Sequence, residues 1–221
     1  QKFLNQRLRQ SFQRGSSWMA IADMHRMADE LTIAYHEKGL TFNQVFVIPQ
    51  EIKNNTLVLN VLAGRLAEIN VARNDLYSAE RIKQPFQHLL GQVIHEPAIQ
   101  AAMLEANSMP GLRVFGFFSV GVFQGQSRLN LSVLSETANV QSFRLDNWGV
   151  QDTGVARVIY QYQRNNISDH ADTLQALVLA TNETGNFYGS LAYRIPLDAE
   201  LQTGFSLLSN QFEIAGPLAQ F

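Results

Sequence analysis

The stretch Asp146-Asn147-Trp148-Gly149-Val150-Gln151-Asp152-Thr153-Gly154 divides this chain into two kinds of sequence. Ahead of it helical periods are mixed with short β-patterns, and after it only alternating β-pattern is found. Its own composition is that of a turn. Asp146 and Asn147 can fold their side chains onto nearby main chain, and Gly149 and Gly154 allow backbone shapes closed to other residues.

Downstream, four runs alternate. Over Arg157 to Gln163 the residues Val158, Tyr160 and Tyr162 form an apolar face against Arg157, Ile159, Gln161 and Gln163. Thr173 to Thr181 sets Leu174, Ala176, Val178 and Ala180 against Thr173, Gln175, Leu177 and Leu179. Phe187, Gly189, Leu191, Tyr193 and Ile195 oppose Tyr188, Ser190, Ala192 and Arg194, and Leu201, Thr203, Phe205 and Leu207 open the fourth run. Asn165-Asn166, Thr184-Gly185-Asn186 and Pro196 to Ala199 are the turns between them.

Upstream, Phe3, Leu4, Leu8 and Phe12 predict a helix over 3–13, ended by Gly15-Ser16-Ser17. Ile21, Met24, Met27, Ala28, Leu31 and Tyr35 predict a second over 20–38, with Gly39 at the C-terminal cap. Thr41 to Ile48 and Thr56 to Leu62 read as strands, separated by Pro49 and an Asn54-Asn55 turn. Leu66 to Val71 alternates again. Helices over 79–90 and 96–107 and strands over 112–118 and 128–133 follow, so helix, helix, strand, strand recurs, and the second copy is preceded by a strand. The opening strand of the first copy would lie ahead of Gln1.

Composition narrows the function classes. With 17 basic and 19 acidic residues the formal net charge is -2, without the clustered excess of Lys and Arg that a nucleic-acid backbone requires. There is no Cys, which excludes disulfides, thiolate metal sites and thiol catalysis. No apolar run approaches the roughly 18 residues of a spanning helix.

His25, His36, His88, His95 and His170 are scattered without metal-ligand spacing. His95-Glu96 opens like a zincin motif, but Pro97 follows and the second His is missing; the segment reads as a helix start. Gly116-Phe117-Phe118-Ser119-Val120-Gly121 has neither a phosphate-loop Lys nor a following helix. Around Ser119 the hydrolase elbow would need Gly where Phe117 stands. Asp29-Glu30 sits on a polar helix face. No nucleophile, base and oxyanion site can be named together, so the expectation is no catalysis, no metal and no cofactor.

Several segments in order resemble one family. They are Leu31-Thr32 through Tyr35 to Gly39, Ile48-Pro49-Gln50-Glu51-Ile52, Leu57 to Leu66 with its Gly64-Arg65 junction, Met109-Pro110-Gly111, Asp146-Asn147-Trp148-Gly149 with Thr153-Gly154, Asp172 with Leu174, and Tyr193 to Pro196. Together they resemble the outer-membrane transporters of two-partner secretion, the haemolysin secretion/activation family, in which two POTRA modules precede a β-barrel. Ala63 departs from the acid usual there, and the family's Val-Arg-Gly-Tyr loop motif has no counterpart. A barrel needs at least about eight strands to close; four are expected here.

The resemblance implies an α+β chain. It has two POTRA-like β-α-α-β-β modules, at 1–64 (lacking its opening strand) and 65–139, and at 140–221 antiparallel strands like the start of an outer-membrane barrel. It also implies a secreted client protein with an N-terminal secretion domain, lipid contact through the barrel of a full-length protein, and modules in the periplasm; the charge balance, separately, leads to the expectation of no nucleic-acid partner. The expected client-binding edges are Phe42, Val45, Phe46 and Val47 in the first module and Leu112, Val114, Phe115 and Phe117 in the second, where an extended chain would add as a strand. The expected module-to-barrel junction is Asp146, Asn147, Gly149, Thr153 and Gly154. An outer-membrane assembly factor of the same superfamily and a soluble β-rich binding protein are the alternatives.

Overall fold

A computed structural model describes residues 20–52, 56–182, 186–197, 201–211 and 213. The helix expected over 3–13 and the Asn54-Asn55 turn lie outside the described residues. Two compact units divide the chain. One draws on Gln1–Asn70, Lys83–Leu104 and Gly116–Leu131, the other on Val71–Ile82, Glu105–Phe115 and Ser132–Phe221.

In the first unit, helix α1 spans Ile21–His36 and buries Met27, Ala28, Leu31 and Ala34, one stripe at helical spacing. The Asp23 carboxylate accepts the Ala20 N–H at 3.0 Å and so satisfies a donor at the helix start. Gly39, at φ +76°, takes the left-handed shape just past the helix end.

Strands β1, Gln44–Phe46, and β2, Asn60–Leu62, pair antiparallel with Val45 opposite Val61. Ala28, Leu31 and Val45 pack beneath them with Tyr35, Val47 and Leu59. Both strands are shorter than the expected 41–48 and 56–62. At Val58 the carboxamide of Gln50 takes the place of a neighbouring strand, accepting the N–H at 2.9 Å and donating to the C=O at 2.8 Å.

Strand β3, Arg65–Ala72, is followed by helix α2, Ala79–Lys83, and a 3-10 turn over Gln84–Leu89. The single helix expected over 79–90 is corrected here. Pro85 has no N–H to return to the carbonyl four residues back, so the α-helix stops and a tighter turn continues. Helix α3 is Glu96–Ser108, and strands β4, Leu112–Val120, and β5, Gln126–Glu136, complete a sheet of order β3-β5-β4.

The last sheet has five strands, which corrects the expected four: β6, Asn139–Asp146; β7, Arg157–Asn165; β8, Thr173–Thr181; β9, Phe187–Pro196; and β10, Gln202–Gln211. Strand β6 is hard to read in sequence because Asn139 and Gln141 stand on its apolar face and Val140 on its polar one. The order β10-β9-β8-β7-β6 is an antiparallel meander.

Directly opposed residues share a face. The register therefore lines Phe143, Tyr160, Val178 and Gly189 across one face, flanked by the rows Leu145-Val158-Ala180-Phe187 and Gln141-Tyr162-Ala176-Leu191-Leu207. Ser142, Gln161, Leu177, Ser190 and Leu208 cross the other face, with Arg144, Arg157, Gln163, Gln175 and Arg194 in the neighbouring rows. One face is dominated by apolar and aromatic residues and the other by polar ones. Phe143, Phe187, Leu191, Phe205 and Leu207 on the apolar face are exposed. No helix among the described residues is long and apolar enough to cross a membrane.

Candidate functional site

The two expected strand edges share a local device. In β1, Val45 is buried, and its N–H donates to Thr32 Oγ1 at 2.9 Å. The Thr32 hydroxyl in turn donates to the Ala28 carbonyl at 2.9 Å, which fixes it on α1. Phe46 and Val47 are half-buried. The ring of Phe42 lies 4.6 Å from that of Phe118. Gly64 is required beneath Phe42, because a Cβ there would stand 2.3 Å from the Phe42 Cβ.

In β4 the side chains of Leu112 and Val114 are buried, whereas Phe115 and Phe117 are 53% and 49% exposed. Over Leu112–Phe117 the strand therefore turns its even-numbered side chains inward and its odd-numbered ones outward. Because the sheet order is β3-β5-β4, β4 is an edge strand with β5 on one side. Of the expected edge residues, Val45, Leu112 and Val114 already give main-chain N–H groups to Thr32, Met109 and Asn107, and Phe115 and Phe117 present exposed side chains.

The turn Asp146–Gly154 lies at the end of β6 away from Asn139, since Asn139 faces Arg164 and Asp146 faces Arg157. Asp146 Oδ1 accepts Arg157 Nε at 2.7 Å and the Trp148 N–H at 3.2 Å, and Arg144 Nε stands 3.5 Å from Oδ2. The Gly149 N–H donates to the Val155 carbonyl at 3.0 Å. The Thr153 carbonyl accepts Thr181 Oγ1 at 2.7 Å, and Gly154 sits at φ +102° beside Thr181. Asp146, Gly149, Thr153 and Gly154, four of the five named residues, thus enter the network that closes the β6–β7 hairpin. The chain coming from β5 joins the opposite end of β6.

At that opposite end, still within the second unit, lies a cluster that sequence reading took for a plain Asn165-Asn166 turn. The loop from Asn165 to Asp172 holds three residues other than glycine at positive φ: Asn166, Asp169 and Ala171. Asn166 Nδ2 donates to the Leu76 carbonyl at 2.5 Å, and Asp169 Oδ1 accepts the Ser78 N–H at 3.0 Å. Asn165 Nδ2 donates to the Thr137 carbonyl at 2.8 Å. Asp172 is fully buried. It accepts the Ser168 N–H at 3.0 Å and the Tyr193 hydroxyl at 2.7 Å.

Burial alone would raise the Asp172 carboxyl, but the hydrogen bonds from Ser168 and Tyr193 outweigh it and hold the group below the usual carboxylate range. Asp169 is likewise lowered, with the Ser78 donors overcoming its burial. Glu136 accepts the N–H groups of Asp75, Leu76 and Tyr77 at 2.5, 2.8 and 3.1 Å. The buried Tyr77 hydroxyl donates to the Pro110 carbonyl at 2.7 Å, and burial pushes this phenol above its ordinary value. The only sequence signal for this cluster was the density of Asn and Asp, which tolerate the left-handed region better than other residues.

His95 Nε2 lies 3.1 Å from the Lys38 carbonyl, at the start of α3 where Pro97 follows. Among the described residues no group of three or more His, Cys, Asp or Glu is arranged to hold a metal.

Residues 3–64 match the family described as POTRA domain, ShlB-type. The chain is 27% identical over 138 residues to the outer membrane transporter CdiB of Escherichia coli, covering 62% of this chain and 23% of that protein. It is 21% identical over 194 residues to the heme/hemopexin transporter protein HuxB of Haemophilus influenzae, covering 87% of this chain and 34% of the relative. The chain thus spans roughly a quarter to a third of the length of these relatives. In fold it resembles the solved structure of CdiB from Escherichia coli, with a TM-score of 0.73 at 21% identity, over 92% of this chain and 38% of that one. By sequence and by fold, the chain is similar to the two-partner secretion transporters of the outer membrane, with residues 3–64 matching the ShlB-type POTRA family and a run of antiparallel strands that resembles the start of a barrel.

Proposed function

We propose that this chain is a segment of an outer-membrane transporter that takes up an unfolded client protein in the periplasm and passes it to a β-barrel pore. Residues 1–64 and 65–139 are the client-handling modules, and 140–221 supply the first strands of the barrel. The observation that carries the barrel reading is the two-faced five-stranded meander, with an apolar face against a polar one over strands of 8 to 10 residues. That is about the length a tilted strand needs to span hydrocarbon. The apolar face would meet lipid and the polar face the lumen.

Client uptake is proposed as strand addition to the edges at β1 and β4. Each main-chain hydrogen bond formed there is worth about 0.5–1.5 kcal/mol net, so a few in register hold an extended segment without a nucleotide or metal. The client is a secreted protein with an N-terminal secretion domain, and the transporter performs no chemistry on it. Calorimetric titration of the whole chain, in detergent, with the secretion domain encoded beside its gene tests this. Selective saturable binding supports client uptake, and absence of heat with every such domain favours the alternative of an assembly factor.

A further inference from the structure

We propose that Asn107 closes the first half of the β4 edge and confines strand addition to Gly116–Val120, so that the second module takes an extended client segment with apolar residues at alternate positions. This rests on the strand-addition reading above. Asn107 Nδ2 donates to the Val114 carbonyl at 3.0 Å, and its Oδ1 accepts the Val114 N–H at 3.0 Å. A carboxamide has the donor and acceptor of a peptide group, so Asn107 binds Val114 as one residue of a neighbouring strand would. The occupant this edge fits is therefore a peptide main chain.

Those bonds also reveal which way the strand's polar groups point. A residue in a strand directs its N–H and C=O to the same side, and alternate residues direct them to opposite sides. At the far end Gly121 donates to the Gln126 carbonyl at 2.9 Å, so the odd-numbered groups face β5. The even-numbered groups, those of Leu112, Val114, Gly116, Phe118 and Val120, face the open side. Leu112 spends its N–H on the Met109 carbonyl at 3.1 Å, and Val114 is held by Asn107. Gly116, Phe118 and Val120 remain for an incoming strand.

Side-chain surface is concentrated in the same half. Phe115 and Phe117 are exposed, as are Val120, Val122 and Phe123 at the hairpin tip. An added strand would place every second side chain beside Phe115 and Phe117, which selects alternating apolar residues. Of the two halves of the edge, the one left open by Asn107 is also the one with apolar surface beside it.

The test is residue-resolved amide exchange on the whole chain in detergent, with and without a lysine-flanked peptide of alternating valine and threonine. Gain of protection at the Gly116, Phe118 and Val120 amides, with the Asn107 side-chain amide resonance unmoved, is the expected result. Val120→Pro removes one outward N–H at an exposed edge position that tolerates proline. It should weaken the peptide by about tenfold, about the worth of one main-chain hydrogen bond. Asn107→Ala should extend the peptide's protection to the Val114 amide. Displacement of Asn107 by the peptide in the unsubstituted chain would overturn the inference and leave strand addition standing. No gain of protection at any β4 amide would overturn both.

Discussion

At the scale of single residues, the second unit depends on positions where no other side chain fits. Gly111 stands at φ +75°, and a Cβ on it would lie 2.2 Å from the Thr137 carbonyl oxygen and 2.7 Å from Asn165 Nδ2. Gly111→Ala should cost at least about 1–3 kcal/mol, the usual range for a residue held in a sparsely populated backbone region, read as a lower melting temperature of the whole chain. Asp172 carries the pH dependence of its loop. Its folded-state value lies below the ordinary 3.8, so its stabilisation is fully present above pH 3.8 and is lost as the pH falls below that. Thermal melts of Asp172→Asn should therefore fall below those of the unsubstituted chain at pH 7, and the gap should narrow at pH 3. Sequence reading reached Asp172 only as part of a resemblance and Gly111 only beside Pro110. The burial of one and the close approach at the other come from residues distant in sequence, Tyr193 and Thr137.

At the scale of elements, periodicity was a good guide wherever a segment has one dry side. Helix α1 shows its stripe because Met27, Ala28, Leu31 and Ala34 are all buried on one side. The guide failed where main-chain bonding outweighs side-chain pattern. The helix expected over 79–90 stops at Pro85, β2 begins only at Asn60 because Gln50 serves Val58, and β6 hides behind polar residues on both faces. The edges were legible as β-rich segments, but the helix residues that serve them, Thr32 and Asn107, were not. Neither carries a pattern until the strand lies beside it.

The two-faced sheet gives a direct prediction. Val178→Lys, on the apolar face, should reduce stability in lipid vesicles by about 2–4 kcal/mol, the cost of a cation near mid-bilayer. Gln161→Lys, on the polar face, should change it little. Urea unfolding of the two variants in vesicles distinguishes them, and equal losses would remove the basis for assigning lipid to one face.

At the scale of the whole molecule, an α+β part with strands at sheet edges is followed along the chain by a run of strands that resembles the start of a barrel. The recurring helix-helix-strand-strand order and the turn at Asp146–Gly154 make that plan legible in the sequence. The place of the turn inside a hairpin did not follow from sequence, because the strand ahead of it, β6 at Asn139–Asp146, carries no clear alternation. In the proposed uptake a client binds by becoming a strand. Isotope-edited infrared spectroscopy of a carbon-13-labelled secretion-domain segment bound to the unlabelled chain tests it most directly. On binding, the labelled amide band should move to the extended, strand-paired position; a labelled band that stays at the helical or unordered position in the bound complex would rule strand addition out.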